Sequence, residues 1–275
     1  MKSIRIASPL YILRNECAAD LFGVLRKLAD LGFDGVEFLG FFGHSAEEVK
    51  AMLTETGLTA VGNHVPYAEF LRDLDGVIGF HKHIGCTYIS VADLPVENFA
   101  ETAVQLARFA EKARANGITL LYHNHDNELI DKIGGQEILS YIMDNTAPDV
   151  LSLEPDLGWI EIGGGSCTEY LTKYADRCPV IHLKDYYPSD NSKLGRVREF
   201  VPARGTAERG HFEFRPTGYG IVNLPKLMPL CLKCDPDWFV IDHDLAYERD
   251  SFDDLKLGLD FTRRLLAIQA SVPAE

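Results

Sequence analysis

Residues 117–128 read Gly-Ile-Thr-Leu-Leu-Tyr-His-Asn-His-Asp-Asn-Glu. The glycine closes a helix-like stretch, as glycine often does just past a helix. Residues 118–123 have the length and apolar density of a buried strand. The residues that follow are all polar. A strand that is apolar along its length and polar only past its end belongs to a parallel sheet covered on both faces. The same order recurs on either side of it. Strand-like runs at 150–154, 180–184 and 238–241 each lead into acids or histidines, and further runs lie at 4–10, 35–39, 58–65 and 88–91.

Helix-like segments separate these runs. In 18–31 the apolar residues Leu21, Val24, Leu25 and Leu28 recur at three- and four-residue spacing. Ser45 followed by Glu47 and Glu48 marks a capped helix start. Further helices are predicted at 73–84, 97–116, 136–143, 168–175, 224–232 and 253–269, with 186–219 as the longest irregular stretch. Eight strand-then-helix units imply parallel strands joined by crossover helices, and eight favour closure. The expectation is a single α/β domain over 1–275, a (β/α)8 TIM barrel. A doubly wound open sheet is the alternative.

The net charge of −14 repels phosphate backbones and anionic membranes. It argues against a nucleic-acid partner. No apolar run is long enough to span a bilayer. The amino-terminal residues run into the first strand with no basic segment and apolar core ahead of it, so the expected location is cytoplasmic. Six cysteines show no disulfide framework. Cys231 and Cys234 form a lone C-x-x-C that reads as helix positions, because a zinc site needs four ligands.

In a barrel, functional groups gather at the carboxyl ends of the strands. Here those ends carry Glu37; Asn63 and His64; 122–128 (YHNHDNE); 154–159 (EPDLGW); His182, Lys184 and Asp185; and Asp242, His243 and Asp244. Six clusters at one end aim polar groups at one cavity. Buried charges of one sign need a cation or protons. Carboxylates mixed with imidazoles suit one divalent metal ion, Mn, Mg, Co or Zn.

The motifs YHNHDNEL, EPDLGW, HLKD, GYG with NLPKL, and FVIDHD, taken in this order, resemble the xylose isomerase-like barrel superfamily over nearly the whole chain. That group holds sugar isomerases and epimerases, inosose dehydratase and endonuclease IV. The resemblance implies one metal held by an acid from strand five, an Asp from strand six, a His from strand seven and an acid from strand eight. Asp156 and His182 match two of these positions. Asp242 stands where relatives carry Glu, with Asp244 as the alternative. For strand five, Glu128 or His125 supplies the ligand. The resemblance also allows a homo-oligomer, although no sequence patch marks an interface.

The expected chemistry is isomerisation or epimerisation of a small keto-sugar or polyol through an enediolate. Glu128 or His125 would exchange protons on one side and Asp242 or His243 on the other. His64, Asn124 and Lys184 would hold substrate hydroxyls. Trp159 would stack on a sugar face, and Glu37 would orient its neighbours at the substrate. Lys184 reads either as the partner of an acid such as Asp185 or as a group polarising a substrate oxygen. A lyase acting on an inosose or 3-keto sugar is the second reading. Endonuclease-like cleavage and a non-catalytic sugar-binding barrel are more distant ones. Gly163–Gly165 reads as a plain loop, whereas 218–220 (GYG) could bring backbone close to a ligand. Arg204, Arg209 and Arg215, in the long segment before it, could close over substrate, although solvated loop charges are the favoured reading.

Overall fold

A computed structural model of the chain describes residues 4–188, 194–197 and 212–271. Arg204 and Arg209 lie outside the described residues. Eight parallel strands form the barrel: β1 (Arg5–Pro9), β2 (Gly35–Phe38), β3 (Thr59–Asn63), β4 (Tyr88–Val91), β5 (Thr119–His123), β6 (Ser152–Glu154), β7 (Val180–His182) and β8 (Trp238–Val240). Five pair in the order β3-β2-β1-β8-β7 and three in the order β4-β5-β6. Two seams close the ring. Each narrows to a single parallel bridge, His64 with Ser90 and Asp156 with His182.

The barrel interior is filled by Ala7, Val61, Tyr88, Leu121, Val180, Trp238 and Val240, all buried. Side chains alternate along a strand, so residues two further on face inward again. That rule carries Leu121 to His123, Val180 to His182 and then Lys184, and Val240 to Asp242. The apolar layer thus becomes the floor beneath a polar one. On β2 the residue two before Glu37 is Gly35. A Cβ there would lie 2.9 Å from the Trp238 ring, so the glycine makes room for the largest side chain in the layer. Helices pack outside the barrel over a second, much larger apolar cluster.

The element boundaries depart from the sequence reading in informative places. Helices expected at 18–31 and 73–84 extend back to Arg14 and Tyr67, each with a non-helical break at Asp20 and Asp73. At both breaks the aspartate accepts a backbone N–H from the glycine three residues on, 2.8 Å in each case. Each aspartate is an N-cap set inside a continuous helical path. The helix Leu157–Ile162 was not anticipated, being only six residues long. The segment read as irregular contains an antiparallel pair, Asp185–Pro188 with Phe212–Arg215. Among the described residues, no helix is long and apolar enough to cross a membrane.

Candidate metal centre

The inward polar layer converges on a cavity of about 340 Å³ at the carboxyl ends of the strands. Its polar lining includes Glu37, His64, His123, His182, Asp242 and Asp244, and its apolar lining includes Phe38, Leu39, Trp159 and Leu245. Local backbone devices aim these groups. The β2–β3 pairing shifts register between Val36 and Glu37, so that Glu37 sits opposite Gly62 and Val61 is passed over. Such bulges turn a side chain relative to a regular strand. A Cβ on Gly62 would come within 3.2 Å of Glu37 Oε1, so the glycine leaves that carboxylate its place.

Two imidazoles meet two glutamates at the centre. His64 Nε2 lies 3.2 Å from Glu37 Oε2 and 3.4 Å from Glu154 Oε2. His182 Nε2 lies 3.1 Å from Glu37 Oε2 and 3.6 Å from Glu154 Oε1. His123 Nδ1 is 3.3 Å from Glu154 Oε2. Next to this group, His182 Nδ1 donates to Asp242 Oδ2 at 2.9 Å. Lys184, fully buried, places Nζ 2.9 Å from Asp242 Oδ2, 2.7 Å from Asp244 Oδ1 and 3.5 Å from Asp156 Oδ2.

Electrostatics follow from this crowding. Burial pulls Lys184 down, but Asp242, Asp244 and Asp156 outweigh it and hold the ammonium above its usual range. Burial likewise opposes charge on His64 and His182. Glu37 and Glu154 reverse that, lifting His64 to about 10 and His182 well above an ordinary imidazole. His123 goes the other way. Burial, only partly offset by Glu154, holds it neutral. Burial would raise Glu37 and Glu154, yet the imidazoles keep both ionised, Glu154 at about 2. Asp156, buried and beside Asp242, is pushed well above a normal carboxylate, while Lys184 overcomes burial at Asp242 and holds it well below.

A divalent ion fits this cluster. Glu37 Oε1, His64 Nε2, His123 Nδ1, both Glu154 oxygens, Asp156 Oδ2 and His182 Nε2 are buried with no hydrogen-bond partner. Buried polar atoms left unsatisfied in this way are costly, and a cation that displaced the imidazole protons would take them up. Two sets of four donors lie close enough to share an ion: His64, His123, Glu154 and His182, or His123, Asp156, His182 and Asp242.

The structure brings Asp156, His182, Asp242, Lys184, His64 and Glu37 together and separates others. Glu128 is buried behind the cavity wall. There it accepts from Tyr122 Oη (2.8 Å) and His125 N (3.0 Å) and forms a separate group with Asp93 and His125. Burial raises its pKa. His125 does line the cavity, edge-on to Trp159. His243 turns outward and pairs with Asp254 at 2.9 Å, on the closing helix Ser251–Ser271. Asn124 accepts the Asp156 backbone N–H at 3.0 Å, stapling the ends of β5 and β6. Asp185 does not meet Lys184. It accepts backbone N–H groups from Tyr186, Gly218, Gly220 and Val222. His123 and Glu154 were quoted in the strand-end motifs without a role. The period-two step from Leu121 to His123 is the signal that points inward.

This fold and this site define a barrel enzyme class whose members work at the strand ends. The profile of the xylose isomerase-like TIM barrel family matches residues 25–265, and the chain belongs to that family. An inosose dehydratase of Geobacillus kaustophilus is 24% identical over 248 residues, covering 80% of this chain and 78% of that enzyme. A sugar phosphate isomerase/epimerase from Parabacteroides distasonis superposes with a TM-score of 0.74 at 20% identity, over 94% of this chain and 97% of that one. The IolI protein, solved with a zinc atom, gives 0.72 at 12% identity, over 98% and 100%.

Proposed function

We propose that this chain is a divalent-metal-dependent isomerase or epimerase of a small keto-sugar or polyol. The carrying observation is the set of buried, unsatisfied carboxylate and imidazole atoms beside a cavity that apolar residues also line. His123 and His182, common to both donor sets, hold the ion. Bound there, a divalent ion supplies Lewis acidity that polarises a substrate carbonyl and acidifies the neighbouring C–H. Phe38, Trp159 and Leu245 receive the carbon face of the substrate. His125 and Asp242 line the cavity and exchange the proton, which is the flanking arrangement that proton transfer requires. Lys184 keeps Asp242 ionised and so able to accept.

A dehydratase is the second reading, favoured by the relative named inosose dehydratase along four fifths of this chain. There the same carbanionic state would expel a β-hydroxyl instead of being reprotonated.

The test combines metal analysis with solvent exchange. Wild-type protein should carry about one equivalent of divalent ion, and His182→Ala should not. Keto-sugars and inososes incubated in D2O with Mn, Co or Mg should gain deuterium beside the carbonyl. Deuterated product of unchanged composition identifies an isomerase or epimerase. Product one water lighter identifies the dehydratase. Metal-loaded protein that exchanges no substrate proton overturns both readings.

A further inference from the structure

We propose that Glu128 is the positioning residue for His125: from behind the cavity wall it holds the ring as the Nδ1–H tautomer, so that an unprotonated Nε2 faces the cavity and exchanges the substrate proton there. This inference rests on the proton-exchange reading above and assigns its atom.

Placement is the first argument. His125 lines the cavity and Glu128 does not. Nδ1 of His125 is buried and lies 4.0 Å from Glu128 Oε1. The two ring nitrogens are distinct and look in different directions. A ring with Nδ1 toward Glu128 therefore leaves Nε2 for the cavity side. His123 and Trp159 hold the ring plane between them, edge to face, with centroids at 5.0 Å and 5.7 Å.

The carboxylate itself is the second. Glu128 is buried at 1% exposure. Its Oε2 accepts the His125 backbone N–H at 3.0 Å, and its Oε1 accepts the Tyr122 hydroxyl at 2.8 Å. One side chain thus fixes the backbone of His125 and presents an acceptor to its ring. Acceptance at both oxygens is what an ionised carboxyl does. Burial raises the Glu128 carboxyl, and these donors oppose that rise. The 4.0 Å gap to Nδ1 is longer than a hydrogen bond, but such contacts are often long before substrate binds and tighten in the complex. Once Nε2 takes up a proton the ring is a cation, and the carboxylate behind it stabilises that charge.

Competition is the third. Asp93, just past β4, brings a second carboxylate within 4.8 Å of the Glu128 and His125 atoms. Asp93 is exposed and water screens it, whereas Glu128 is buried and far less screened. Both acids favour a proton on Nδ1, and the buried one dominates.

The experiment is long-range proton–nitrogen correlation NMR on protein carrying isotope-labelled histidine and loaded with Zn(II). It compares the wild type, Glu128→Gln and Tyr122→Phe, with the His125 signal identified by its absence in His125→Gln. In Glu128→Gln the amide oxygen still accepts the His125 N–H, and the amide nitrogen donates to Tyr122 Oη, since a hydroxyl both donates and accepts. The same amide now offers Nδ1 a donor in place of an acceptor. The wild type should show the Nδ1–H form and Glu128→Gln the Nε2–H form, with zinc content and circular dichroism unchanged. Tyr122→Phe removes a contact of the carboxylate but not its charge, and should keep the Nδ1–H form. On a keto-sugar or inosose whose proton the wild type exchanges in D2O, kcat of Glu128→Gln should fall about a hundredfold or more, the scale of general-base catalysis, with KM within about threefold. A wild type in the Nε2–H form, a tautomer unaltered by Glu128→Gln, a tautomer inverted by Tyr122→Phe, or zinc lost with Glu128 each overturns the proposal. An inverted tautomer in Glu128→Gln with kcat unchanged overturns it as well, because Nε2 is then not the exchanging atom. A wild type in the Nδ1–H form that exchanges no proton of any of these sugars overturns the proton-exchange reading instead.

Discussion

Gly158 shows how much one residue constrains the site. A Cβ there would lie 2.8 Å from Lys184 Cβ, 2.9 Å from its Cγ and 3.0 Å from its carbonyl oxygen. Helix propensity alone favours Gly158→Ala, because alanine is the better helix former. Overpacking against a fixed backbone oxygen opposes it, typically by ~1–3 kcal/mol. The clash should win. Gly158→Ala is expected to lower the thermal midpoint and to displace Lys184 from its three acids, and a variant as stable as the wild type would refute that packing. This much was hidden from the sequence. Asp156 and Trp159 stand out because of their chemistry, but the glycine between them is explained by Lys184, which lies just past the end of β7. For the same reason His64, His182, Asp156 and Asp242 were legible as site candidates, while the division of labour among them was not. Which carboxylate meets which imidazole depends on the β2–β3 register shift and on two single-bridge seams, and strand composition encodes neither.

Between residue and molecule stand the loops that carry the motifs. The sequence allows the GYG stretch to bring backbone close to a ligand, and the structure folds it around Asp185. Four backbone N–H groups donate to that carboxylate at 2.8–3.0 Å. At Gly220 a Cβ would come within 2.2 Å of Asp185 Oδ1. The sequence could show a loop rich in donors but not the anion they surround, which lies 35 positions earlier than Gly220. Asp185→Ala strands several buried donors, each costing ~1–3 kcal/mol. The expected loss is at least about 3 kcal/mol in denaturant unfolding, since the donors share one acceptor. A loss near zero would mean that water replaces the carboxylate without cost. Helices behaved more predictably. The capping box at Ser45 and Glu48, visible as a serine followed by acids, forms as read. The breaks at Asp20 and Asp73 explain why two sequence-derived starts fell close to an internal cap.

For the whole molecule, alternation of apolar strands and amphipathic helices specified the barrel, because a parallel strand buried on both faces has few other solutions. The same burial stores charge at one end, and that charge has a pH signature. In the metal-free protein His64 titrates at about 10, against ~6.5 for an unfolded imidazole. The folded state therefore binds the extra proton. Its stabilising contribution is complete below ~6.5 and is lost as pH rises toward about 10. Glu154 acts in the opposite sense. Held at about 2 against an unfolded value of ~4.3, it contributes above the unfolded value and ceases to as pH falls toward about 2. A divalent ion replaces the imidazole protons, so binding releases protons and tightens as pH rises. Calorimetric melting at about pH 6 and pH 8.5, in each case with and without added Mn or Co, should show metal-free protein less stable at the higher pH and a larger gain from metal there, because proton competition for the imidazoles weakens with every unit of pH. A metal-induced gain that is the same at both pH values would show that the imidazoles are not the groups the ion displaces protons from.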